Sequence, residues 1–586
     1  MNKSKLAAAI ALVAIAALHY WSVPRSIWEF DESLFAAAVE RYEPLLHHPP
    51  PPGYPLYIAF AKIVSLFTPD AFTALLVTSI VTLAAGMLAF VLAFSAIGEA
   101  KAAVAATVLL YASPAMLISG TLPQSDSGAM ALLALAIWAC AKERPAWSGL
   151  LCAAAIGWRL QLCIAIVPMF VVMVVLLRSW RHRFIALGTF AIACAAWFVP
   201  LVVATEGPAS YWEWLSGQAR YYAEHDADLS RSGHSIGLIA TRFLAHPWGP
   251  KWLSLPLLAL AATGAFVVRR NRRIIPLAIG SLTYLGFALA TMDPADAVRY
   301  ALPSLPLFAL LAGIAVSRVP KTLTRLLASL SILLYAIGAV FYAFPLLHAR
   351  ATTLSPPARA AQWIHANVPG NGIVFFDAPL WPHASYLLRD RRSIRNDAGV
   401  AQYGDDIATP IVLLTDGELA HRSDGVTFRW PDTDAYRKLT RGHYGVVSVI
   451  PLLPASRFRV IAGVFPPERT RDGQLWRWLT REAIIQLPPL DATRVRLGFR
   501  TPAEYPLDVN RIEVNGQLVS LRRNESAEII LPVPGDRRIR IVAERTFIPA
   551  QIRGANNRDR RTLSVMLTRV ELVDPQPVAA GSPPPQ

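Results

Sequence analysis

Charge is scarce in this sequence. Asp, Glu, Lys and Arg make up 16% of its 586 residues, where an ordinary soluble domain carries about 25%. Apolar residues take their place, at 54% of the chain with a mean hydropathy of +0.38. Runs near the ~20 residues that cross a bilayer recur along the first 347 positions, which excludes a soluble domain and defines a polytopic membrane protein. Cysteine is scarcer still. Cys140, Cys152, Cys163 and Cys194 lie within or beside apolar segments, where cysteine acts as a small apolar packer. No disulfide framework and no CxxC metal site follow from them. No repeat of fixed period is present.

The formal charge of +16 does not point to nucleic acid, because many basic residues sit in short loops between apolar runs, as the positive-inside rule requires. The apolar runs lie near 6–22, 71–97, 102–118, 127–141, 146–157, 160–177, 184–204, 252–268, 274–291, 300–317 and 326–346, about eleven spans in all. The fifth is too short to cross alone, so it is tilted, broken or re-entrant, with its backbone covered by protein or a water-filled cavity. One set of ends carries Lys3, Lys5, Lys101, Lys142, Arg144, Arg178, Arg181, Arg183, Arg269, Arg270, Arg272, Arg273, Arg318, Lys321 and Arg325. These face the cytoplasm. The loops at 24–70, 120–128, 205–250 and 291–300, and everything after about 347, lie on the other side. The N-terminus has the basic start and apolar core of a secretion signal. Tyr20 and Trp21 at its far end fit better an uncleaved first span with interfacial aromatics.

In the first outer loop, Leu34, Phe35, Ala38, Val39 and Tyr42 recur at helical spacing with Glu40, Arg41 and Glu43 mostly opposite, and Pro44 closes the run. The pattern predicts a short amphipathic helix on the membrane surface with Asp31 at or near its N-cap. After the last span, residues 356–379 read as helix, Gly-containing turn and buried strand, the start of an α/β segment over 348–489. From 490 to 575 the pattern alternates. Val495, Leu497 and Phe499 interleave with Arg494, Arg496 and Arg500, and Asn515-Gly516 marks a hairpin, which predicts a small antiparallel β-sandwich. Residues 576–586 read as a disordered tail.

Phe30-Asp31-Glu32 just outside the first span, an amphipathic stretch, then His48-Pro49-Pro50-Pro51-Pro52-Gly53-Tyr54-Pro55-Leu56-Tyr57 before the second span resemble the C-type (GT-C) membrane glycosyltransferases. That family includes the protein O-mannosyltransferases and the enzymes that add aminoarabinose to lipid A. The resemblance covers roughly residues 1–347. It implies a polyprenyl-phosphate sugar as donor, an extracytoplasmic glycan, lipid or protein as acceptor, a bacterial inner-membrane location, and Asp31 as general base. Glu32 ranks second. The four-proline run and the β-rich C-terminal part depart from the family pattern and leave the acceptor open.

The residues allow the same chemistry less specifically. A positioned carboxylate activates a hydroxyl by about 10²–10⁴-fold, while an N-cap aspartate is the structural alternative for Asp31. Asp126, at the outer start of the fourth span, either meets substrate or caps its helix. Arg159 interrupts an apolar stretch, where an arginine costs about 2.5–3.5 kcal/mol on insertion scales. It either meets the donor phosphate or snorkels to the outer interface. Arg299 sits on the outer rim of the tenth span in an Arg-Tyr pair resembling family members that meet the lipid phosphate there, with an interfacial anchor as the alternative. His48, Tyr54, Tyr57 and Tyr300 complete the candidate substrate contacts. His47 and His48 could ligate a divalent metal, although adjacent side chains rarely converge on one ion unaided. Tyr211, Trp212, Trp214, Tyr221 and Tyr222 either stack on sugars or form an interface belt. A lipid or solute transporter with a periplasmic binding domain is the alternative function, supported by the short fifth span with its arginine.

Overall fold

The computed structural model describes residues 3–225, 235–318, 322–370, 372–396, 411–416, 420, 425–440, 445–452, 459–466, 468–469, 475–487, 493–552 and 559–573. The predicted tail at 576–586 lies outside them. The chain divides into two compact units: residues 1–355 with 431–444, and 356–430 with 445–586.

In the first unit each of the eleven predicted spans becomes a helix or a broken pair of helices. Among the described residues six helices are long and apolar enough to cross a bilayer: Ala71–Ala96, Trp180–Ala204, Lys251–Val268, Arg272–Thr291, Pro294–Ser317 and Leu330–Asn367. The last of these stretches covers the helix Thr322–Thr352 and the helix Pro356–Asn367 of the second unit. Shorter apolar helices accompany them, among them Pro55–Ser65, which the apolar-run reading did not count. Local chemistry sets the ends. Asp70 accepts from the Thr73 amide at 2.8 Å and starts Ala71–Ala96, satisfying an otherwise orphaned donor. The predicted span 102–118 is split, because Ser113 caps a new helix that opens on Pro114, and a proline cannot donate back into the preceding turn. The short fifth span is the helix Pro145–Trp158, which gives way to an extended Arg159 and then to the turn Leu160–Leu162 and the helix Cys163–Leu176. It is therefore one arm of a broken pair.

The helix of the first outer loop runs from Phe30 to Glu40 and is less superficial than expected. Ser33, Leu34, Phe35, Ala36, Ala38 and Val39 are buried, and the helix packs against Pro55–Ser65 and Ala71–Ala96. The proline-rich turn is tied back to it. Glu43 and His48 exchange backbone hydrogen bonds at 2.6 and 3.1 Å, and the Tyr42 hydroxyl donates to the Gly53 carbonyl at 2.8 Å. Gly53 needs its positive φ of 105°, a conformation open to glycine at no steric cost.

Connectivity places the basic ends together. Asp126 opens the helix that ends at Ala141 beside Lys142 and Arg144, about 24 Å away at 1.5 Å per residue. At that far end Arg318 pairs with Glu99 at 3.0 Å and the Asn271 amide donates to the Ile97 carbonyl at 3.3 Å.

The second unit carries two sheets. Strands β1 (Ile373–Phe376), β2 (Arg392–Arg395), β3 (Ile411–Thr415), β4 (Val426–Arg429) and β5 (Val446–Leu452) form a sheet in the order β2-β1-β3-β5-β4. The pairs of β1 with β2 and β3 are parallel and the others antiparallel. Strands β6 (Arg459–Val464), β7 (Glu468–Arg469), β8 (Leu475–Gln486), β9 (Arg494–Arg500), β10 (Val509–Val514), β11 (Gln517–Arg522), β12 (Ser526–Pro532), β13 (Arg538–Ala543) and β14 (Met566–Val573) form one nine-stranded antiparallel sheet. This corrects the expected sandwich. The long strand β8 pairs with β13 over Glu482–Gln486 and with β14 over Arg477–Trp478, so two layers that would otherwise separate are stitched into one sheet. β8 starts at Leu475, so this sheet draws on residues before 490. The Asn515-Gly516 hairpin forms as the sequence indicates, with φ of 48° and 85° between β10 and β11. Positive φ at both central residues is the requirement of a type I′ turn.

One close helix contact can be tested directly. A Cβ at Gly264 would come within 1.9 Å of the Leu311 carbonyl oxygen, so the helices Lys251–Val268 and Leu305–Ser317 meet there backbone to side. Gly264→Ala should cost about 1–3 kcal/mol through overpacking, read as a lowered melting temperature of the detergent-purified protein.

Candidate active site at the outer rim

Four charged side chains that lie far apart in sequence meet at one end of the helical bundle. Asp31 stands in the first turn of Phe30–Glu40, Asp126 in the first turn of Asp126–Ala141, Arg159 in the break after Trp158, and Arg299 in the short helix Ala297–Ala301. The Asp126 carboxylate takes Arg159 on Oδ1 and the Arg299 Nε on Oδ2, the latter at 3.0 Å. Arg299 then reaches on through a terminal nitrogen to Asp31 Oδ2 at 2.8 Å. Two carboxylates and two guanidinium groups balance in charge, which lets Arg159 and Asp126, each 3% exposed, remain buried. Exposure rises along the chain of contacts, to 20% for the Arg299 side chain and 27% for Asp31. Asp31 is the most exposed member of the network.

Both structural alternatives for the aspartates are displaced by this geometry. Glu29 is the N-cap of Phe30–Glu40 and Ser125 that of Asp126–Ala141, and neither helix has a side-chain cap. Arg159 does not snorkel: its Nε donates to Gln161 at 3.3 Å and its remaining reach goes to Asp126. The charge of Arg159, which the sequence reading sets against a donor phosphate, is met here by the buried Asp126 carboxylate.

Glu32 also departs from expectation. It is fully buried, and its Oε2 accepts from the Trp28 amide at 2.7 Å, fixing the turn that leads into the helix. Removal from water, reinforced by the neighbouring Glu29 carboxylate, pushes its pKa up from 4.5 to about 8. A group so placed holds the turn into the helix.

The aromatic candidates gather around the cluster. Phe35 receives Tyr54 and Tyr57 edge-on at 4.9 and 5.2 Å, and Tyr57 lies 5.5 Å from the ring of Trp158. The Trp158 indole donates to the Ser125 carbonyl at 3.0 Å, beside Asp126. Tyr54, Tyr57 and Tyr300 are all within electrostatic reach of Arg299. Tyr284, which no motif singles out, lies in reach of Arg159, Asp126 and Arg299. His48 stays with the proline-rich turn, where burial lowers its pKa and that of His47. Among the described residues no group of three or more His, Cys, Asp or Glu side chains is arranged to hold a metal. Tyr211 packs edge-on against Phe198 at 5.4 Å, while Trp212 and Tyr221 remain exposed. The side chain of Tyr222 lies outside the described residues.

A second ion pair, also missed in the sequence, sits behind the cluster. Arg350, near the end of Thr322–Thr352, is 1% exposed, pairs with Glu29 at 2.8 Å and donates to the Ile118 carbonyl at 3.1 Å. Its guanidinium lies 5.8 Å from the Trp28 ring, and the Arg25 amide donates to its carbonyl at 3.1 Å. The last long helix is thereby tied to the loop that delivers Asp31. In sequence Arg350 looks like an interfacial anchor, and its partner lies 321 positions away.

A polytopic helical bundle with an acidic helix after its first span, a carboxylate–arginine cluster at one end and a β-rich region after its last span has a fold similar to that of the C-type membrane glycosyltransferases. Among solved structures the chain is similar to ArnT from Cupriavidus metallidurans bound to undecaprenyl phosphate, with a TM-score of 0.53 and 13% identity over 75% of this chain and 97% of that one. The same protein in its apo state gives 0.51 and 14% over 76% and 98%. The apo oligosaccharyltransferase of Archaeoglobus fulgidus aligns at 0.46 and 11% over 97% of both chains. No family model and no curated protein matches the chain.

Two measurements test this account of the site. Asp126→Asn leaves two buried guanidinium groups without their shared partner and should destabilise the protein by about 3–5 kcal/mol, seen as a large fall in melting temperature. For Glu32 the pKa is higher folded than unfolded, so its contribution favours the folded state below pH 4.5 and is lost as pH rises toward about 8. Glu32→Gln keeps an acceptor for the Trp28 amide but has no proton to lose. Its melting temperature should therefore fall less than that of the wild type between pH 5 and pH 8.

Proposed function

We propose that this protein is a glycosyltransferase of the cell envelope that moves one sugar from a polyprenyl-phosphate carrier to a hydroxyl of an extracytoplasmic glycan, lipid or protein. The observation that carries the reading is the Asp31–Arg299 pair at 2.8 Å, partly exposed and backed by buried counter-charges. The fold likeness to ArnT, whose structure is described as bound to undecaprenyl phosphate, supports the choice of donor. So does topology. The cluster lies at the helix ends opposite the basic ones, away from the cytoplasm where nucleotide sugars are made, so the sugar must arrive on a lipid.

In this scheme Arg299 is the cation that receives the donor phosphate, because it is the one member of the pair of arginines with exposed surface. Arg159 is a positioning residue that holds Asp126, and through it Arg299. As phosphate takes the guanidinium, Asp31 is released to accept the proton of the acceptor hydroxyl. The hydroxyl oxygen forms the new bond to the anomeric carbon, the bond from that carbon to the phosphate oxygen breaks, and the carrier leaves as an anion stabilised by Arg299. Attack opposite the leaving group inverts the anomeric centre. The bacterial inner membrane, with the cluster on the periplasmic side, is the setting in which such a donor and acceptor meet.

Asp31→Asn should lower transfer by about 10²–10⁴-fold with membrane insertion retained and a melting temperature that falls far less than in Asp126→Asn, because the lost ion pair is partly exposed. The measurement is release of radiolabel from a polyprenyl-phosphate sugar to acceptor by the purified protein. Wild-type turnover by the variant removes Asp31 from the mechanism, and movement of labelled lipid across proteoliposomes without transfer favours a transporter instead.

A further inference from the structure

The segment 431–444 groups with the first compact unit, and residues 431–440 of it are described. Its helix, Asp434–Leu439, is anchored there. Asp434 accepts from the Tyr342 hydroxyl at 3.2 Å, and Arg242 donates to the carbonyls of Arg437 and Lys438 at 3.4 and 3.3 Å. Leu439 and Thr440, at its end, close a cavity of about 40 Å³ whose wall includes Arg299, Arg350, Glu29 and Gln124.

Three properties of this cavity limit what it can take. Its volume suits roughly two or three waters, or one hydroxyl-bearing carbon of a larger ligand. Its charged walls cancel, with Glu29 and Asp296 set against Arg299 and Arg350, so it does not select an anion. Two of its lining side chains keep a buried polar atom without a hydrogen-bond partner, the acceptor Oε1 of Gln124 and the donor Nε of Arg350. A buried polar group left unmet costs about 1–3 kcal/mol. A hydroxyl, which both donates and accepts, satisfies one of each kind.

We infer that the cavity roofed by Leu439 and Thr440 is a sugar-hydroxyl subsite, in which Gln124 and Arg350 read a neutral hydroxyl of the saccharide carried by the donor while Arg299, in the same wall, meets its phosphate. The inference rests on the proposed donor reading and adds the residues that choose the sugar. Gln124 stands two positions before Asp126 in the second outer loop, so the loop that supplies the buried counter-ion also supplies the reader. The apolar Leu439 excludes water above it and so strengthens the hydrogen bonds below.

The test uses the full chain in lipid nanodiscs and compares binding of bare undecaprenyl phosphate with the same carrier bearing a neutral hexose, a neutral pentose or an aminopentose. In the wild type at least one glycosylated carrier should bind about tenfold or more tightly than the bare one, the scale of one buried hydrogen bond. Gln124→Met, which is close in shape but has no amide, and Leu439→Phe, which fills the cavity from its roof, should each reduce that preference to about threefold or less. Both should bind the bare carrier as the wild type does, which also reports that they are folded. A wild type with no preference for any glycosylated carrier, or a preference that survives in either variant, overturns the subsite. A wild type that does not bind bare undecaprenyl phosphate overturns the donor reading itself, and the subsite falls with it.

Discussion

The site depends on one carboxylate with two arginines. Asp126 is buried at 3% exposure and holds both Arg159 and Arg299, and each ion would be expensive without the others, since an unpaired charge inside protein costs several kcal/mol. Arg159 follows a helix break and Arg299 a short helix at the head of a later span. Their common partner fixes the distance between elements that the chain visits more than a hundred residues apart. Asp31 is then attached to the exposed side of Arg299. The partly exposed carboxylate is thereby supported on buried charges.

The loop that carries Asp31 is held from two further directions. Glu32 uses its buried carboxyl to set the turn at Trp28, and Glu29 is held by Arg350 from the last long helix. The three neighbouring acidic residues have distinct contacts. Glu29 makes a tie across the fold, Glu32 holds the turn at Trp28, and Asp31 faces the cluster. An acidic pair in sequence thus resolves into one partly exposed member of the charge cluster and one buried group that holds the turn, separated by the 100° turn per residue of the helix that bears them.

Much of the bundle was legible in the sequence because apolar length and basic loop ends are local signals. The broken fifth span was visible as a shortfall in length, and Arg159 as a charge out of place. Asp31, Asp126 and Arg299 could be singled out, but not their mutual pairing, which depends on tertiary packing between distant helices. Arg350 and Tyr284 gave no signal at all, since an arginine at a helix end and a tyrosine in an apolar run are ordinary residues of membrane spans. In the C-terminal part the alternation of β9 and the Asn515-Gly516 turn identified strands correctly. Alternation does not specify which strands pair, so it could not show that β8 bridges two layers into one sheet.

The return of residues 431–444 to the membrane unit bears on how such a protein can diverge. The C-terminal region is not a detachable cassette, because a short helix encoded deep within it is a working piece of the bundle. Recombination that exchanged everything after Ser355 between two relatives would graft a foreign patch onto each transmembrane core. The two portions of the gene are therefore bound to drift together, and a change in one is expected to be answered in the other at Tyr342, Arg242 or the facing turn.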